Sequence, residues 1–284
     1  MTVEVLVEAL PYIREFRGST IVVKFGGNAM VDRELIQTFA DDIVLLQSLG
    51  ISPVVVHGGG PQIGDMMARF GKEPVFIDGL RVTDAETLEI AAMVLVGKVN
   101  RQLVSAINTH GPLAVGLSGE DGGLIEAEAR DPALGFVGDV TKVNTQIIER
   151  LLAEDLVPVV STIGADLSAG QAYNINADTA AGAIAAELRA EKIVYLSDVP
   201  GLLDNIDDAE SLISQVGDDG LRKMVADGRL TGGMLPKITG CLEAIDAGVR
   251  SAHLLDGRLR HVLLLELFTA AGVGTMIVAD EEVV

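Results

Sequence analysis

The chain has 284 residues, of which 49% are hydrophobic, so it can bury a large core in one large or two modest domains. Its 41 acidic and 21 basic residues leave a formal net charge of −20, which argues against proteins that bind nucleic acid or anionic membranes through a positive surface. The single cysteine excludes an internal disulfide framework and a zinc–cysteine cluster, and it fits a reducing cytoplasm.

The first predicted element is a leading helix. Residues 3–16 place apolar side chains at helical spacing and predict an amphipathic helix that is broken or kinked near Pro11. Charged residues are scattered through this stretch, which is not the pattern of an export signal, and the chain has no uninterrupted apolar run of membrane-spanning length. The helix either caps the domain or extends onto another subunit, and both alternatives stay open.

The first predicted strand, residues 21–25, carries a lysine just before two glycines. Lys24 lies near the end of this β-branched run, and Gly26 and Gly27 interrupt it. A cation at a strand tip, beside a loop whose bare amides are accessible, can receive an anion such as phosphate. From these residues alone, an ordinary turn with a surface lysine is an equal alternative.

A second loop repeats this order of strand, glycines and helix start at residues 53–62. Gly58, Gly59 and Gly60 expose consecutive amides, and Pro61 suits the first turn of a helix. Two such loops indicate that anionic ligands are held by backbone amides.

Neither of the two common phosphate-binding motifs accounts for these loops. Before Lys98 the Walker motif would need a glycine where Ala92 stands and Ser or Thr where Val99 stands. The dinucleotide fingerprint fails at Ile63, which occupies its third glycine position.

The rest of the chain alternates helices and strands, which predicts a mainly parallel α/β sheet. A hairpin with an Asp-Gly turn is predicted at residues 74–82, and only irregular hairpins are predicted between 118 and 143. The pattern restarts at residue 192, so we predict two lobes, 1–189 and 190–284. The other predicted helices cover residues 32–49, 62–70, 84–108, 145–154, 179–189, 221–227, a stretch ending at 247, and 262–268, and the other strands 52–56, 113–117, 156–161, 193–196, 251–255 and 275–278.

Six loop motifs, in this order over nearly the whole chain, resemble those of the amino acid kinase family. They are KFGGN at 24–28, HGGGPQ at 57–62, GLRVT at 79–83, NINAD at 174–178, SDVPG at 197–201 and TGGMxxK at 231–237. The resemblance implies a three-layer αβα sandwich around a mainly parallel sheet. It also implies ATP-dependent phosphorylation of the side-chain carboxylate of N-acetyl-L-glutamate, a step of arginine biosynthesis, with Mg²⁺ carried by the nucleotide.

The resemblance assigns the catalytic roles. Transfer of a phosphoryl group to a carboxylate brings two anions together, so the protein must supply positive charge and positioning. Lys24 and Lys237 would hold the transferring group from opposite sides, Asp178 would hold both lysines, and the amides of Gly26 and Gly27 would stabilise the charge on its oxygens. No general base is needed, because the attacking carboxylate is already ionised.

Because no base is needed, we expect His57 to have a structural or substrate-shaping role. The acceptor contacts implied by the resemblance are Gly59, Gly60, Arg81 and Asn174. The implied nucleotide contacts are Ser197, Asp198, Gly201, Leu202, Leu203, Thr231, Gly232 and Lys237. No metal ligand is predicted in the protein.

The resemblance also implies feedback control. In relatives that arginine inhibits, a leading helix links dimers into a hexamer, and the effector lies between that helix and the C-terminal lobe. We therefore predict L-arginine inhibition through Tyr12, His253, Glu266 and Gly272, with Glu266 pairing with the guanidinium. The alternatives are another family member acting on a related acid or carbamate, a noncatalytic amino-acid sensor, and, least favoured, a dinucleotide oxidoreductase.

Overall fold

The computed structural model describes residues 3–205, 208, 210–230, 234–270 and 272–282. The helices are α1 (Val3–Phe16), α2 (Arg33–Ser48), α3 (Gly60–Arg69), α4 (Ala85–Ala92), α5 (Arg101–Ile107), α6 (Gln146–Ala153), α7 (Ala177–Glu187), α8 (Asp218–Ala226), α9 (Met234–Asp246) and α10 (Val262–Phe268). The strands are β1 (Thr20–Phe25), β2 (Ser52–His57), β3 (Phe76–Ile77), β4 (Leu80–Arg81), β5 (Ala114–Ser118), β6 (Ile125–Ala129), β7 (Val137–Val143), β8 (Val157–Ser161), β9 (Ile163–Asp166), β10 (Gln171–Ile175), β11 (Lys192–Ser197), β12 (Gln215–Gly217), β13 (Ser251–Asp256) and β14 (Thr275–Val278).

Eight strands form the central sheet in the order β12–β14–β13–β11–β1–β2–β8–β5. Neighbours in this sheet are parallel except β13 and β14, which confirms the predicted mainly parallel sheet. The register aligns Phe25 of β1 with His57 of β2 and Leu196 of β11. The carboxyl ends of these strands therefore meet at one edge of the sheet, where open α/β folds bind their ligands.

Helices cover both faces of the sheet, as a three-layer sandwich requires. Ile21, Val23 and Phe25 pack in a core cluster with apolar side chains of α1 to α5 and α10. Val22 and Val54 pack in the cluster on the other face, with side chains of α6 to α9. Successive side chains of a strand point to opposite faces, so the nearly continuous apolar run of β1 fills both layers.

A small closed sheet of β10, β7, β6 and β9 occupies the middle of the chain, where we predicted only irregular hairpins. Glycines allow its strands to approach closely: a Cβ at Gly138 would lie 2.6 Å from the Cβ of Tyr173. β10 leads directly into α7 through Asn176. This small sheet therefore brings Asn174 to the functional edge of the central sheet.

β3 and β4 form the predicted hairpin. Its turn residues Asp78 and Gly79 have φ angles of +49° and +80°. These left-handed conformations are the ones that an Asp-Gly pair adopts in a two-residue hairpin turn. The returning strand carries Arg81.

The long helix predicted over residues 84–108 is present but not uniform. α4 continues through a π-helical stretch, Met93–Asn100, into α5. Residues 85–110 could span a membrane by length and composition alone, but half of the most apolar window is buried inside the fold. Leu95, Val99 and Leu103 of this helix pack in the core.

Several predicted helix boundaries were wrong. α3 begins at Gly60 rather than at residue 62, and α8 begins at Asp218 rather than at residue 221. α7 begins at Ala177 rather than at residue 179, because Asn176 caps it by accepting hydrogen bonds from the amides of Asp178 (2.8 Å) and Thr179 (3.2 Å). The predicted break near Pro11 is absent, since α1 is one helix.

Candidate functional site

At the carboxyl edge of the central sheet, one aspartate holds two lysines from opposite ends of the chain. The Nζ atom of Lys24, on β1, lies 2.8 Å from Oδ1 of Asp178. The Nζ atom of Lys237, in the first turn of α9, donates a 2.8 Å hydrogen bond to Oδ2 of the same carboxylate. Asp178 itself lies in the first turn of α7. The structure thus brings together three predicted catalytic side chains.

This cluster has two lysine ammonium groups but only one carboxylate. The side chain of Asp178 is only 7% exposed. Burial alone would raise the pKa of Asp178, but the charges of Lys24 and Lys237 outweigh burial and lower that pKa. The carboxylate is therefore ionised, and the cluster retains one positive charge in excess.

The crossing of α7 and α9 explains how Lys237 reaches Asp178. A Cβ at Gly182 would lie 3.0 Å from the carbonyl oxygen of Gly240, and a Cβ at Gly240 would lie 2.7 Å from the hydroxyl of Tyr195. The alanine-rich sequence of α7 serves the same purpose, because small side chains let two helix backbones approach closely.

The first glycine loop lies between a positive and a negative side chain. A Cβ at Gly26 would meet the Nζ atom of Lys24, so a larger residue would displace that ammonium group from its present position. Gly27 has a φ of +71° and packs against the carboxylate of Asp198. That carboxylate accepts hydrogen bonds from the backbone amide (2.8 Å) and side-chain amide (3.2 Å) of Asn28. Asp198, predicted to bind nucleotide, thus supports the first loop.

The second glycine loop leads into α3. A Cβ at Gly59 would lie 2.7 Å from Cδ2 of Leu95, so the π-helical stretch packs directly on this glycine. Gln62 donates a 3.0 Å hydrogen bond to the carbonyl oxygen of Met30, which follows the first loop. Sequence reasoning missed Gln62 as the residue that ties the two loops together.

The loops border a cleft with a volume of about 270 Å³. Its lining includes Lys24, Asp178 and all four predicted acceptor residues. The first residues of α3 and α7 also line it, so the positive dipole ends of two helices face the cleft. The cleft therefore favours an anionic ligand.

Arg81 and Asn174 lie on the side of this cleft away from β1. The guanidinium of Arg81 donates a 3.0 Å hydrogen bond to the carbonyl oxygen of Gly60 and lies 4.8 Å from the centre of the Phe76 ring. Asn174 donates to the hydroxyl of Thr83 (3.3 Å), which in turn donates to the carbonyl of Arg81 (2.8 Å). Thr83 belongs to the GLRVT motif at residues 79–83, but the sequence did not predict that it links Arg81 to Asn174.

His57 lies behind the second loop and is fully buried. Its Nδ1 atom lies 2.9 Å from the carbonyl oxygen of Gly58. Burial lowers the pKa of His57 to about 4, against a smaller opposing effect of that hydrogen bond. His57 is not among the residues that line the cleft.

The other described residues predicted to bind the nucleotide lie in two places: Ser197 at the end of β11, and Gly201, Leu202 and Leu203 in the loop that follows. Ser197 ends β11 at the functional edge, and its buried hydroxyl has no hydrogen-bond partner among the described residues. Leu202 is a core residue whose amide donates to the hydroxyl of Thr275 (2.8 Å). Gly201 packs on the same threonine, and Leu203 pairs with Leu212. Thr231 and Gly232 lie outside the described residues.

A second pocket, of about 410 Å³, separates α1 from the C-terminal part of the sheet. Tyr12, His253, Glu266 and Gly272 all line it. Glu266 already accepts hydrogen bonds from Nδ1 of His253 (2.7 Å) and from the amides of Val273 (2.7 Å) and Gly274 (3.2 Å). Burial raises the pKa of Glu266, but these partners outweigh burial and lower it. A guanidinium that pairs with Glu266 would therefore have to share this carboxylate with its present partners, and the predicted pairing stays a prediction.

The other basic groups of this pocket are close to the same cluster. Lys192 donates to the hydroxyl of Ser251 (2.9 Å) and lies 3.3 Å from Nε2 of His253. Burial is the main cause that lowers the pKa of Lys192 and of His253.

The profile of the amino acid kinase family matches residues 19–256. The chain is 52% identical to the acetylglutamate kinase of Symbiobacterium thermophilum and 48% identical to that of Methanosphaera stadtmanae, with 96% of both partners covered in each alignment.

A solved structure adds a more distant likeness. The N-acetylglutamate synthase of Neisseria gonorrhoeae, complexed with coenzyme A and N-acetyl-glutamate, is 26% identical with a TM-score of 0.87. The match covers 99% of this chain and 64% of the synthase, so the chain spans less than two thirds of that protein. A second structure of the synthase, with coenzyme A and L-arginine, has a TM-score of 0.85.

Proposed function

This chain belongs to the amino acid kinase family and has the activity of an acetylglutamate kinase, and from that premise we propose how its residues perform and control the reaction. The reaction uses ATP to phosphorylate the side-chain carboxylate of N-acetyl-L-glutamate. The observation that carries the residue assignment is the Lys24–Asp178–Lys237 cluster at the rim of an anion-binding cleft.

The excess positive charge of this cluster serves the transferring phosphoryl group. Lys24 faces the acceptor side and Lys237 the nucleotide side, while Asp178 keeps the two ammonium groups at fixed positions. The amides of Gly26, Gly27 and Gly59 donate to the oxygens on which charge develops, as preorganised donors do at other reacting anions. Asp178 does not act as a base, because both of its oxygens face lysines.

The acceptor binds in the cleft between the two loops. Arg81 offers a planar, multiply donating group to an acceptor carboxylate, and Asn174 can both donate to and accept from the acetamido group. The amides of Gly59 and Gly60, at the start of α3, complete the site.

ATP occupies the same edge of the sheet on the β11 side. The unpartnered hydroxyl of Ser197 fits a hydrogen bond to the nucleotide, and Asp198, Gly201, Leu202 and Leu203 shape this side through the contacts described above. On this division, acetylglutamate binds to the lobe of residues 1–189 and ATP to that of residues 190–284.

Mg²⁺ enters with the nucleotide. Within the described residues no group of three or more His, Cys, Asp or Glu side chains could hold a metal ion. Asp178, the carboxylate closest to the transfer, already pairs with both lysines. These donors do not form a metal site, so no step of the transfer is assigned to a protein-bound ion.

Substrate choice is tested by an ATP-coupled assay that compares acetylglutamate, glutamate, aspartate, acetylaminoadipate and carbamate. Turnover at least about 10-fold more efficient with acetylglutamate than with any other acid is the expected result. Equal or better turnover with carbamate or with an unacetylated amino acid contradicts the assignment of Asn174 to the acetamido group.

L-arginine is proposed as an effector that binds in the second pocket. The pocket is lined by three carboxylates, Glu15, Glu266 and Glu282, against the two cations Lys192 and Arg250. With His253 neutral, this balance suits a ligand with one net positive charge. Tyr12, His253 and Gly272 also line this pocket. Arginine would bias a conformational equilibrium and lower the apparent affinity for acetylglutamate.

A dimer built into a hexamer is the proposed assembly, with α1 as the link between dimers. Val7 and Leu10 of α1 are 63% and 42% exposed, so part of its apolar surface is free to pack on another subunit. The single buried cysteine fits the proposed cytoplasmic location.

Deleting residues 1–17 tests both the assembly and the control. The expected product is an active dimer with little response to arginine, measured by light scattering and by the coupled assay. A full-length protein that runs as a dimer and ignores millimolar arginine contradicts this part while leaving the kinase activity untouched.

A further inference from the structure

His57 is not used by the proposed transfer, yet it ends a chain of hydrogen bonds that runs from exposed Arg101 through buried Asn100. Arg101 donates a 2.8 Å hydrogen bond to Oδ1 of Asn100. Nδ2 of Asn100 lies 2.8 Å from the carbonyl oxygen of Val159 and 3.1 Å from Nε2 of His57, while the carbonyl oxygen of Leu117 is farther away, at 3.4 Å. Arg101 has only donors and the carbonyl only accepts, so the amide of Asn100 has one orientation that satisfies both. Its nitrogen therefore donates to Nε2 of His57.

This contact fixes the tautomer of His57. Because Nε2 accepts a hydrogen bond, the proton of the neutral imidazole is on Nδ1. Nδ1 lies 2.9 Å from the carbonyl oxygen of Gly58 and donates to it. With a pKa of about 4, lowered by burial, the ring stays neutral at the pH at which both substrates are ionised.

The hydrogen bond to Gly58 sets the direction of the next amide. In a trans peptide unit the C=O and N–H groups point in opposite directions. The carbonyl of Gly58 and the N–H of Gly59 belong to one such unit. When buried His57 holds the carbonyl, the N–H of Gly59 points away from His57, and Gly59 lines the cleft.

The π-helical stretch holds the same loop from a second side. Leu95 packs against the Cα of Gly59, where a Cβ would lie 2.7 Å from its Cδ2 atom. Asn100 is the last residue of this stretch. Stretches of π-helix are frequent at functional sites, and this one supplies both contacts that restrain the loop.

We propose that His57 is a positioning residue that aims the Gly59 amide at the transferring phosphoryl group, and that Asn100 selects the tautomer needed for this. The inference rests on the proposed function, which assigns the Gly59 amide to the phosphoryl oxygens. It gives a buried, non-titrating histidine a specific part in the reaction.

Two variants of His57 distinguish the contribution of the Nδ1 hydrogen bond from that of the Nε2 hydrogen bond. In His57→Asn the side-chain amide nitrogen replaces Nδ1 and can still hold the carbonyl of Gly58, while the partner of Asn100 is lost. In His57→Gln the side-chain amide reaches the position of Nε2 and keeps the contact with Asn100, while the donor to Gly58 is lost. A role in packing alone would make the shorter asparagine at least as damaging as glutamine.

The expected result is a decrease in kcat of about 10- to 100-fold for His57→Gln, and a smaller rise in the acetylglutamate KM because the Gly59 amide also borders the acceptor. His57→Asn should retain kcat within about fivefold, even if its thermal midpoint falls further. A His57→Gln kcat within about threefold of wild type overturns the proposal, as does an equal loss of kcat in both variants.

Crystal structures keep the inference testable if the variants fold poorly or the kinase assay fails. In wild type with MgADP, aluminium fluoride and acetylglutamate, the Gly59 nitrogen should lie within hydrogen-bond distance of a fluoride, and a Gly59 N–H directed elsewhere overturns the proposal. Absence of wild-type turnover on acetylglutamate would count against the proposed function alone. Ligand-free crystal structures of the variants still test the positioning role. Relative to wild type, the Gly58 carbonyl should be rotated in His57→Gln but not in His57→Asn.

Discussion

Two buried carboxylates, Asp178 at the cleft and Glu266 at the second pocket, have partners that differ in kind. Asp178 faces two lysine ammonium groups, each 2.8 Å away. Glu266 is held by two fixed backbone amides and by His253. The Asp178 cluster therefore keeps one net positive charge that can bind a phosphoryl group. The hydrogen-bond acceptors of Glu266 already have partners, so a ligand of the second pocket would be selected by the shape of the pocket and by its near balance of charges.

The largest effect should follow the removal of a charge from the Asp178 cluster. Lys24→Ala or Lys237→Ala should lower kcat by about 100- to 1,000-fold, because the charge is needed most when the phosphoryl group is between its partners. The dissociation constant for acetylglutamate, measured by calorimetry, should change by less than about fivefold. Lys223→Ala, on the exposed face of α8, is the matched control and should leave both quantities unchanged. Near-normal turnover in either lysine variant would remove that lysine from the transfer.

Asp178→Asn removes the carboxylate that holds both lysines. Loss of one partner from a buried ion pair should lower the free energy of unfolding at neutral pH by about 3 kcal/mol. The folded-state pKa of Asp178 is lowered, so its stabilising contribution is present above the ordinary value of 3.8 and is lost as the pH falls through the folded-state pKa. Urea titrations should therefore show wild type and variant converging below about pH 4, and a constant difference down to the lowest pH would contradict the ion pair.

Arg81→Lys should affect the acceptor more than the transfer. A lysine keeps the charge but loses the planar arrangement of donors, so the acetylglutamate KM should rise about tenfold while kcat changes less. Steady-state kinetics at saturating ATP measure both constants. An unchanged KM would exclude Arg81 from the acceptor site.

The smallest catalytic effect is expected at Glu266. Glu266→Gln keeps the shape of the side chain but removes the negative charge that accepts the hydrogen bond of His253. Turnover without effector should stay within about twofold of wild type, while the arginine concentration for half-inhibition should rise about tenfold or more. The coupled assay with increasing arginine measures both, and an unchanged arginine response would place the effector elsewhere.

Sequence patterns predicted the layered fold because the apolar periodicity of β1, β2 and α2 is strong and their glycine punctuation is clear. They also predicted Lys24 and the two glycine loops of the cleft, whereas Arg81, Asn174 and Asp178 were implied only by the resemblance to the amino acid kinase family. They did not predict that β6, β7, β9 and β10 form a closed sheet, because β7 pairs with β10 and β6 with β9 across long separations in sequence. Periodicity also cannot distinguish α-helix from the π-helical stretch at Met93–Asn100.

The side-chain links within the site were equally hidden. Glu266 is in a run that suggested a solvated or ligand-binding carboxylate, and only the fold brings Val273, Gly274 and His253 around it. Asp198 likewise meets Asn28 across a long separation in sequence. Such contacts depend on topology and have no local signal.

The dependence of kcat on pH tests most directly the claim that charge and position, rather than a base, drive the transfer. Wild type at saturating MgATP and acetylglutamate should show a kcat that varies by less than about threefold from about pH 6 to about pH 9, because Asp178 is ionised and His57 neutral throughout. A kcat that rises about tenfold per pH unit, with an apparent pKa between about 6 and about 8, would reveal a titrating base and contradict the account.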